Sequence, residues 1–226
     1  DNEYSNLSLL CDDIFKHVNC LGTIIWQHSV QPKGYDKFSI HHNYILCYRG
    51  GDDFELKPLP RTAEDNKAYK NPDNDPKGLW RSGDVRNALY RPNLIYDVIT
   101  PSGKIIKPCD NGWRWSKETM HEKIKSGEII FNQDETKIIR KIYLSSLEGR
   151  APESIWFAKD VGSTREAMGE LKDIFSKSPF DTPKPTKLIQ KLLMLHGNNN
   201  SVVLDFFAGS GTTLHALMQL NAQDGG

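Results

Sequence analysis

The chain has 226 residues and a mass of 25.7 kDa; 38% of its residues are hydrophobic, 26% charged and 10% aromatic, and its formal net charge is zero. Those proportions fit one ordinary globular domain or two small ones and exclude a disordered, collagen-like or coiled-coil chain. No apolar run approaches the roughly 20 residues of a bilayer-spanning helix and no secretory leader opens the sequence, so the cytoplasm is the expected compartment and no membrane partner is expected.

In chain order, Leu7, Leu10, Ile14 and Phe15 recur at helical spacing and predict an amphipathic helix over residues 5–17. Gly22 opens Thr23-Ile24-Ile25-Trp26, a short β-rich run of the buried kind. Residues 28–40, with Pro32 and Gly34 and no period, read as a loop, and Asn43–Tyr48 is the second predicted strand. Helix, strand, loop, strand fits one half of an α/β sheet. From residue 51 to 80, Pro58, Pro60, Pro72 and Pro76 among many Asn, Asp and Lys forbid long regular elements and predict a boundary with an irregular surface segment.

Residues 80–150 predict an insertion of short strands (94–99, 104–106, 129–131 and 138–144) with one helix over 116–125 that stops at Gly127. This block carries 13 Lys/Arg against 9 Asp/Glu, whereas residues 1–79 carry 9 against 12 and residues 151–226 carry 7 against 8. The basic excess therefore lies in the middle, which is compatible with an anionic partner there. Ser163 and Glu166 match a capping box at the start of a helix ending near Ser176. Thr182-Pro183-Lys184-Pro185-Thr186 leads into a helix over 187–195, and His196–Asn200 is a polar turn. Val202–Phe207 reads as a continuous apolar strand of the buried parallel type, and after the tight turn Ala208–Thr213 a helix starts over 214–221.

A strand followed by Gly-x-Gly and a helix is the arrangement of a nucleotide or nucleoside site, because the glycines allow a sharp turn and close backbone approach. A phosphate-binding P-loop would need a lysine after the second glycine, and Gly211 is followed by Thr212. A dinucleotide fingerprint would need a third glycine where Leu214 stands. What remains is Asp-x-Phe-x-Gly-x-Gly, which better suits an amino acid joined to a nucleoside, with an ammonium group for Asp205 to accept. An oxidoreductase with a degenerate dinucleotide loop is the lesser alternative. The His41-His42 pair has no carboxylate or cysteine at ligand spacing, and Cys11, Cys20, Cys47 and Cys109 form no CxxC pair, so no metal site is expected.

Val203-Leu204-Asp205-Phe206-Phe207-Ala208-Gly209-Ser210-Gly211-Thr212-Thr213 resembles the S-adenosyl-L-methionine-binding motif I of amino-methylating DNA methyltransferases. Phe180-Asp181-Thr182-Pro183-Lys184-Pro185, with Leu188-Ile189 after it, resembles their motif X, placed just upstream as in the β-class order. The segments 21–26, 38–46, 91–94, 112–115 and 152–156 resemble the same family in the same order, so the resemblance covers nearly the whole chain. Within it, the chain is similar to adenine-specific enzymes such as the modification (Mod) subunits of type III restriction-modification systems. The family's Asp/Asn-Pro-Pro-aromatic tetrapeptide does not occur here, so no catalytic residue is assigned. The chain reads as an internal fragment of a larger enzyme, expected to be inactive in transfer by itself.

The resemblance implies an incomplete Rossmann-like α/β fold of the S-adenosyl-L-methionine-dependent methyltransferases, with an inserted mixed α+β target-recognition region. Residues 1–50 would belong to the catalytic core, 51–150 to the insert and 151–226 to the cofactor-binding part. It implies methyl transfer from S-adenosyl-L-methionine to N6 of adenine in duplex DNA. The partners it implies are double-stranded DNA, a restriction (Res) subunit and a second Mod copy. A catalytically incomplete module that binds DNA and cofactor is the alternative. Asp205, Phe206, Phe207, Ala208, Gly209, Ser210, Gly211, Thr212 and Thr213 would line the cofactor, with Lys184 and Pro185 at its border. A rigid lead-in to a helix is the other reading of Thr-Pro-Lys-Pro. In the insert, Trp80, Arg81, Arg86, Arg91, Asn93, Arg114 and Lys117 are candidates for DNA contact, since arginine matches guanine edges, asparagine matches adenine, and both bind phosphate. Of Trp113 and Trp115, which flank Arg114 with strand alternation, one is expected in the core.

Overall fold

The computed structural model describes residues 3–32, 34, 37–198 and 200–225. Lys33, Tyr35 and Asp36 of the expected loop and Asn199 of the expected polar turn lie outside the described residues. The chain order is α1 (Tyr4–Phe15), β1 (Cys20–Gln27), β2 (His42–Tyr48), α2 (Ala63–Asn66), β3 (Trp80–Gly83), β4 (Val98–Ile99), β5 (Ile105–Ile106), α3 (Lys117–Lys125), β6 (Ile129–Phe131) and β7 (Ile138–Tyr143). It continues with β8 (Ile155–Trp156), α4 (Ala158–Val161), α5 (Thr164–Phe175), α6 (Thr186–Met194) and α7 (Thr212–Asp224). The result is a mixed α/β protein of two compact units, one made of residues 1–59 with 151–226 and the other of residues 60–150.

The first unit is built on a three-stranded sheet in the order β2-β1-β8. β1 pairs antiparallel with β2, with Thr23 opposite Leu46 and Ile25 opposite Tyr44, and parallel with β8, with Trp26 opposite Trp156. Side chains alternate across a strand, so Ile24 and Trp26 fall on the same face. They are buried there with Leu59, Trp156, Val161, Leu188 and Leu195. Residues 51–59, expected in the insert, instead join this unit. The Phe54 ring stacks on His196, its centroid 4.4 Å away, and the Lys57 backbone N–H donates to the Leu195 carbonyl at 2.7 Å. The backbone after β2 thus finds its partners at the end of α6, and Leu59 lies in the core rather than at the surface.

Two expectations fail in instructive ways. α1 forms as predicted, but Leu7, Leu10, Ile14 and Phe15 are exposed, and the helix is held by its ends, where Tyr4 meets Tyr44 and Phe15 meets Tyr48 at centroid distances of 4.6 and 5.6 Å. Val202–Phe207 forms no strand among the described residues, and Val202 and Phe207 are 97% and 94% exposed. A parallel strand satisfies its backbone only through hydrogen-bonded neighbours, and no described strand pairs with this segment. The Asp205 carboxylate instead accepts the Phe207 backbone N–H at 3.0 Å, a local bond that bends the chain away from extension.

The second unit carries the sheet β3-β7-β6 and the two-stranded ribbon β4-β5. β3, at Trp80–Gly83, is a strand that the sequence reading omitted. Trp80, expected as a DNA contact, is buried; its indole N–H donates to Asp73 and its ring lies 5.0 Å from the Lys141 ammonium. That ammonium is itself buried and bonded to both Asp73 and Asp75, and Asp75 also accepts the Tyr143 hydroxyl at 2.8 Å. The predicted helix caps are present: Ser163 and Glu166 form the reciprocal box at α5, and the Ser116 hydroxyl accepts the Thr119 N–H at α3.

Two stability effects follow. Gly162 has φ +84°, and a Cβ there would sit 2.7 Å from Cβ of Pro185, so Gly162→Ala should cost about 3 kcal/mol in urea unfolding followed by circular dichroism. Hydrogen bonds from Lys141, then from the Lys77 backbone and Tyr143, hold the Asp75 carboxyl down from 3.8 to about 2. A carboxyl with a depressed folded-state pKa stabilises fully above its unfolded value and loses that contribution as pH falls toward the folded one. The urea midpoint should therefore drop between pH 4 and pH 2, and Lys141→Met should lower it at neutral pH and flatten its fall across that window.

Candidate functional site

The Thr182–Thr186 segment is placed from beneath. Pro185 is fully buried, packs on Gly162 and caps the start of α6 in extended conformation. Pro185 is therefore a support under the site rather than part of its lining, because its ring fills the space a side chain at Gly162 would need. Lys184 is held on both ends: its ammonium lies 5.8 Å from the Trp26 ring centroid and its carbonyl accepts the Thr212 hydroxyl at 3.0 Å.

The turn before α7 comes up against that segment. Gly209 (φ +54°) and Gly211 (φ +73°) are both left-handed, which only glycine adopts without strain, and the Gly211 N–H donates to the Ala208 carbonyl at 2.7 Å. The Ser210 and Thr212 hydroxyls are 2.8 Å apart. Between turn and segment lies a cleft of about 570 Å³. Asp205, Phe206, Phe207, Ala208, Gly209, Ser210, Thr212, Thr213 and Lys184 all line it. Gly211 lines instead an adjoining pocket between α5 and α7. Phe180, Thr182, Ile189 and Leu204 also line the cleft and were not foreseen as site residues; the signal was present in the Phe-Asp-Thr-Pro-Lys-Pro run for the first two. Thr212 and Thr213 lie in the first turn of α7, where unpaired N–H groups and the helix dipole favour negative charge.

A second cleft, of about 710 Å³, shares Thr182 and Lys184 with the first and is lined also by His28, Ser29, Asn43, Ser163 and Arg165. His28 follows β1, and its carbonyl accepts the Thr164 N–H at 3.1 Å, tying the strand end to the start of α5. Burial, followed by the neighbouring His41, Lys184 and His42, pushes the His28 imidazole down from its ordinary value and keeps it neutral at pH 7. Sequence reasoning assigned none of these residues to a site, since they come from the strand end, the loop after it and α5. Among the described residues no group of three or more His, Cys, Asp or Glu comes together to hold a metal.

In the second unit the DNA-contact candidates divide. Arg86 and Arg114 share a polar cleft of about 780 Å³. Arg81 is exposed but engaged within the unit, its Nε donating to the Tyr69 hydroxyl at 3.0 Å with its guanidinium over that ring. Arg91, Asn93 and Lys117 are exposed and do not line that cleft. Trp113 is the core member of its pair, donating to the Tyr96 carbonyl at 2.7 Å, while the Lys123 and Arg140 cations each lie 5.3 Å from the Trp115 ring centroid.

The sequence profile of the DNA methylase family matches residues 1–223. The chain belongs to that family. The Mod subunit of the type III restriction-modification enzyme StyLTI of Salmonella typhimurium is 34% identical over the whole of this chain, which spans 35% of that protein. The type II methyltransferase M.KpnI of Klebsiella pneumoniae is 31% identical over the whole chain, which spans 58% of it. The EcoP15I Mod subunit of Escherichia coli is 28% identical over 97% of the chain, which spans 39% of it. The chain thus spans between about a third and three-fifths of the length of these relatives.

The side-chain bond from α7 to the Lys184 segment is testable. Thr212→Val keeps the shape and removes the donor, so stability should fall by about 1 kcal/mol in a urea titration, and Thr212→Ser should restore it.

Proposed function

We propose that this methylase transfers a methyl group from S-adenosyl-L-methionine to the exocyclic N6 of adenine in duplex DNA. It would act in the cytoplasm as the modification part of a type III-like restriction-modification system, with a restriction subunit and a second modification chain as partners. The observation that carries the reading is the meeting of two motifs. Lys184, from the Pro-Lys-Pro segment, and Asp205–Ser210 with Thr212 and Thr213, from the Gly-Ser-Gly turn, line one cleft and are joined by the Thr212–Lys184 bond. Similarity to two type III Mod subunits supports the same reading.

The donor set fits a sulfonium nucleoside rather than a nucleotide. The turn holds no lysine for a phosphate, and the cleft offers the Asp205 carboxylate for an ammonium, the Thr213 hydroxyl for a carboxylate, and the faces of Phe180, Phe206 and Phe207 for a flat ring. Its volume, about 570 Å³, lies in the range of small-molecule sites. When bound there, S-adenosyl-L-methionine supplies an activated methyl group. Gly209 permits close backbone approach. Lys184, held over Trp26, forms the wall common to both clefts. The second cleft is where the target adenine belongs. A base inside the stack cannot present its amine, so it is flipped out at a cost of a few kcal/mol. Asn43, Ser29 and neutral His28 offer donors and acceptors for its edge without competing as charges. We assign the first unit to the Rossmann-like cofactor-binding core and the second to target recognition.

Isothermal titration with S-adenosylhomocysteine tests the site. One site per chain is expected. Gly209→Val, which forces a branched side chain into a left-handed position facing Phe180, should weaken it at least tenfold, or about 1.4 kcal/mol. Equal affinity in that variant, or no binding to the unaltered chain, would sink the cofactor assignment.

A further inference from the structure

The 780 Å³ cleft of the second unit is walled by side chains from two segments, 84–88 and 109–114, among them Asp84, Arg86, Asp110 and Arg114, and the segments are locked together by backbone bonds. The Asn87 N–H donates to the Gly112 carbonyl and the Arg114 N–H to the Val85 carbonyl, both at 2.9 Å, around an antiparallel bridge between Arg86 and Trp113. Gly112 is required in this frame, since φ is +82° and a Cβ would meet the Leu94 carbonyl oxygen at 2.8 Å. Val85 and Trp113 are buried in the unit's core, and strand alternation leaves Asp84, Arg86 and Arg114 exposed on the outer side.

On that rigid frame one arginine is oriented. The Asp84 carboxylate is fixed by the Arg86 backbone N–H at 2.9 Å, and it takes the side of the Arg86 guanidinium through Nε at 3.0 Å and Nη2 at 2.9 Å. The carboxyl is held down to about 2 by these bonds from Arg86, so the pair stays ionised at neutral pH. The end of the fork, Nη1 with the outer hydrogen of Nη2, has no acceptor among the described residues. The two amides nearby are engaged locally: Asn111 Nδ2 donates to the Ala88 carbonyl and Asn87 Oδ1 accepts the Leu89 N–H.

We propose that Arg86, held side-on by Asp84, reads a guanine edge of the target duplex with the end of its fork, and that Asp84 is the positioning residue for this contact. The inference rests on the DNA-modifying function proposed above. Two observations favour a base over a phosphate. Guanine presents O6 and N7 as a pair of neutral acceptors matched to the fork, and a carboxylate that fixes the guanidinium side-on aims that fork in one direction, as reading a single base edge requires. The adjacent carboxylate also cancels the local positive charge, which weakens attraction to an anion but leaves directional hydrogen bonding intact.

The test is selection from a pool of randomised duplexes by the full-length protein, followed by sequencing, with unaltered protein, Arg86→Lys and Asp84→Asn compared. Arg86→Lys keeps the charge and loses the fork. Its preference for guanine at one position should fall about tenfold or more while the other positions hold. Asp84→Asn should lose the same preference, yet bind unselected duplex as well as or better than the unaltered protein, because a negative charge has gone. An even loss of affinity for all sequences in Arg86→Lys would reveal a phosphate contact and overturn the proposal, as would an unchanged profile. Loss of preference, affinity and thermal stability together in Asp84→Asn would reduce that residue to a structural one. A pool left unenriched by unaltered protein that binds S-adenosylhomocysteine normally would overturn the proposal and the duplex substrate with it, leaving the cofactor site standing.

Discussion

The first unit depends on the close approach of Pro185 to Gly162 beside Trp26. The Trp26 indole N–H donates to the Gly162 carbonyl at 3.0 Å, which ties β1 to the end of α4, and Pro185 packs where a Gly162 side chain would otherwise stand. The strand at Trp26 and the two later segments at Gly162 and Pro185 are thereby brought to one point. The cost is a backbone conformation at Gly162 that L side chains rarely adopt. In return the lead-in to α6 is rigid, with Lys184 displayed over the Trp26 ring. Both clefts of the unit inherit their shared wall from this packing.

Against that rigid wall the other side of the cofactor cleft is open chain. Asp205, Phe206 and Phe207 stand on a segment whose backbone makes no ladder among the described residues, while the turn that follows is pinned at Gly211 and Thr212. The contrast is physical: a helix satisfies its own backbone and forms alone, so α7 begins cleanly at its glycine, whereas a strand exists only with neighbours. Rigidity at Lys184 and at the start of α7 is what keeps the two motifs together.

The second unit meets its structural demand differently. Its buried charge is Lys141, satisfied by two aspartates and covered by Trp80. A buried ammonium is tolerated only when it is paired with opposite charge and hydrogen-bonded. These bonds pin the Asp73–Asp75 turn to β7, and they hold a basic unit in shape without using its exposed arginines. Arg81 is partly taken up by Tyr69, so the side chains left to face outward are a subset of those the basic excess suggested.

Local grammar was legible in the sequence. Helices α3, α5 and α6, the strands β1 and β2, the capping box at Ser163 and the left-handed glycines of the turn follow from spacing and residue type, because each is decided by atoms a few residues apart. The Gly-x-Gly turn was legible for the same reason, whereas the Lys184 segment was singled out by its resemblance to a family motif. Only the tertiary structure decided which face of each element had a partner. It put Trp80 and Pro185 inside, left the apolar residues of α1 and the 202–207 run in solvent, moved residues 51–59 into the first unit and gathered His28, Asn43 and Arg165 at one cleft. Burial and strand pairing are properties of neighbours distant in sequence, and a one-dimensional pattern records the need for such a neighbour without saying where it stands.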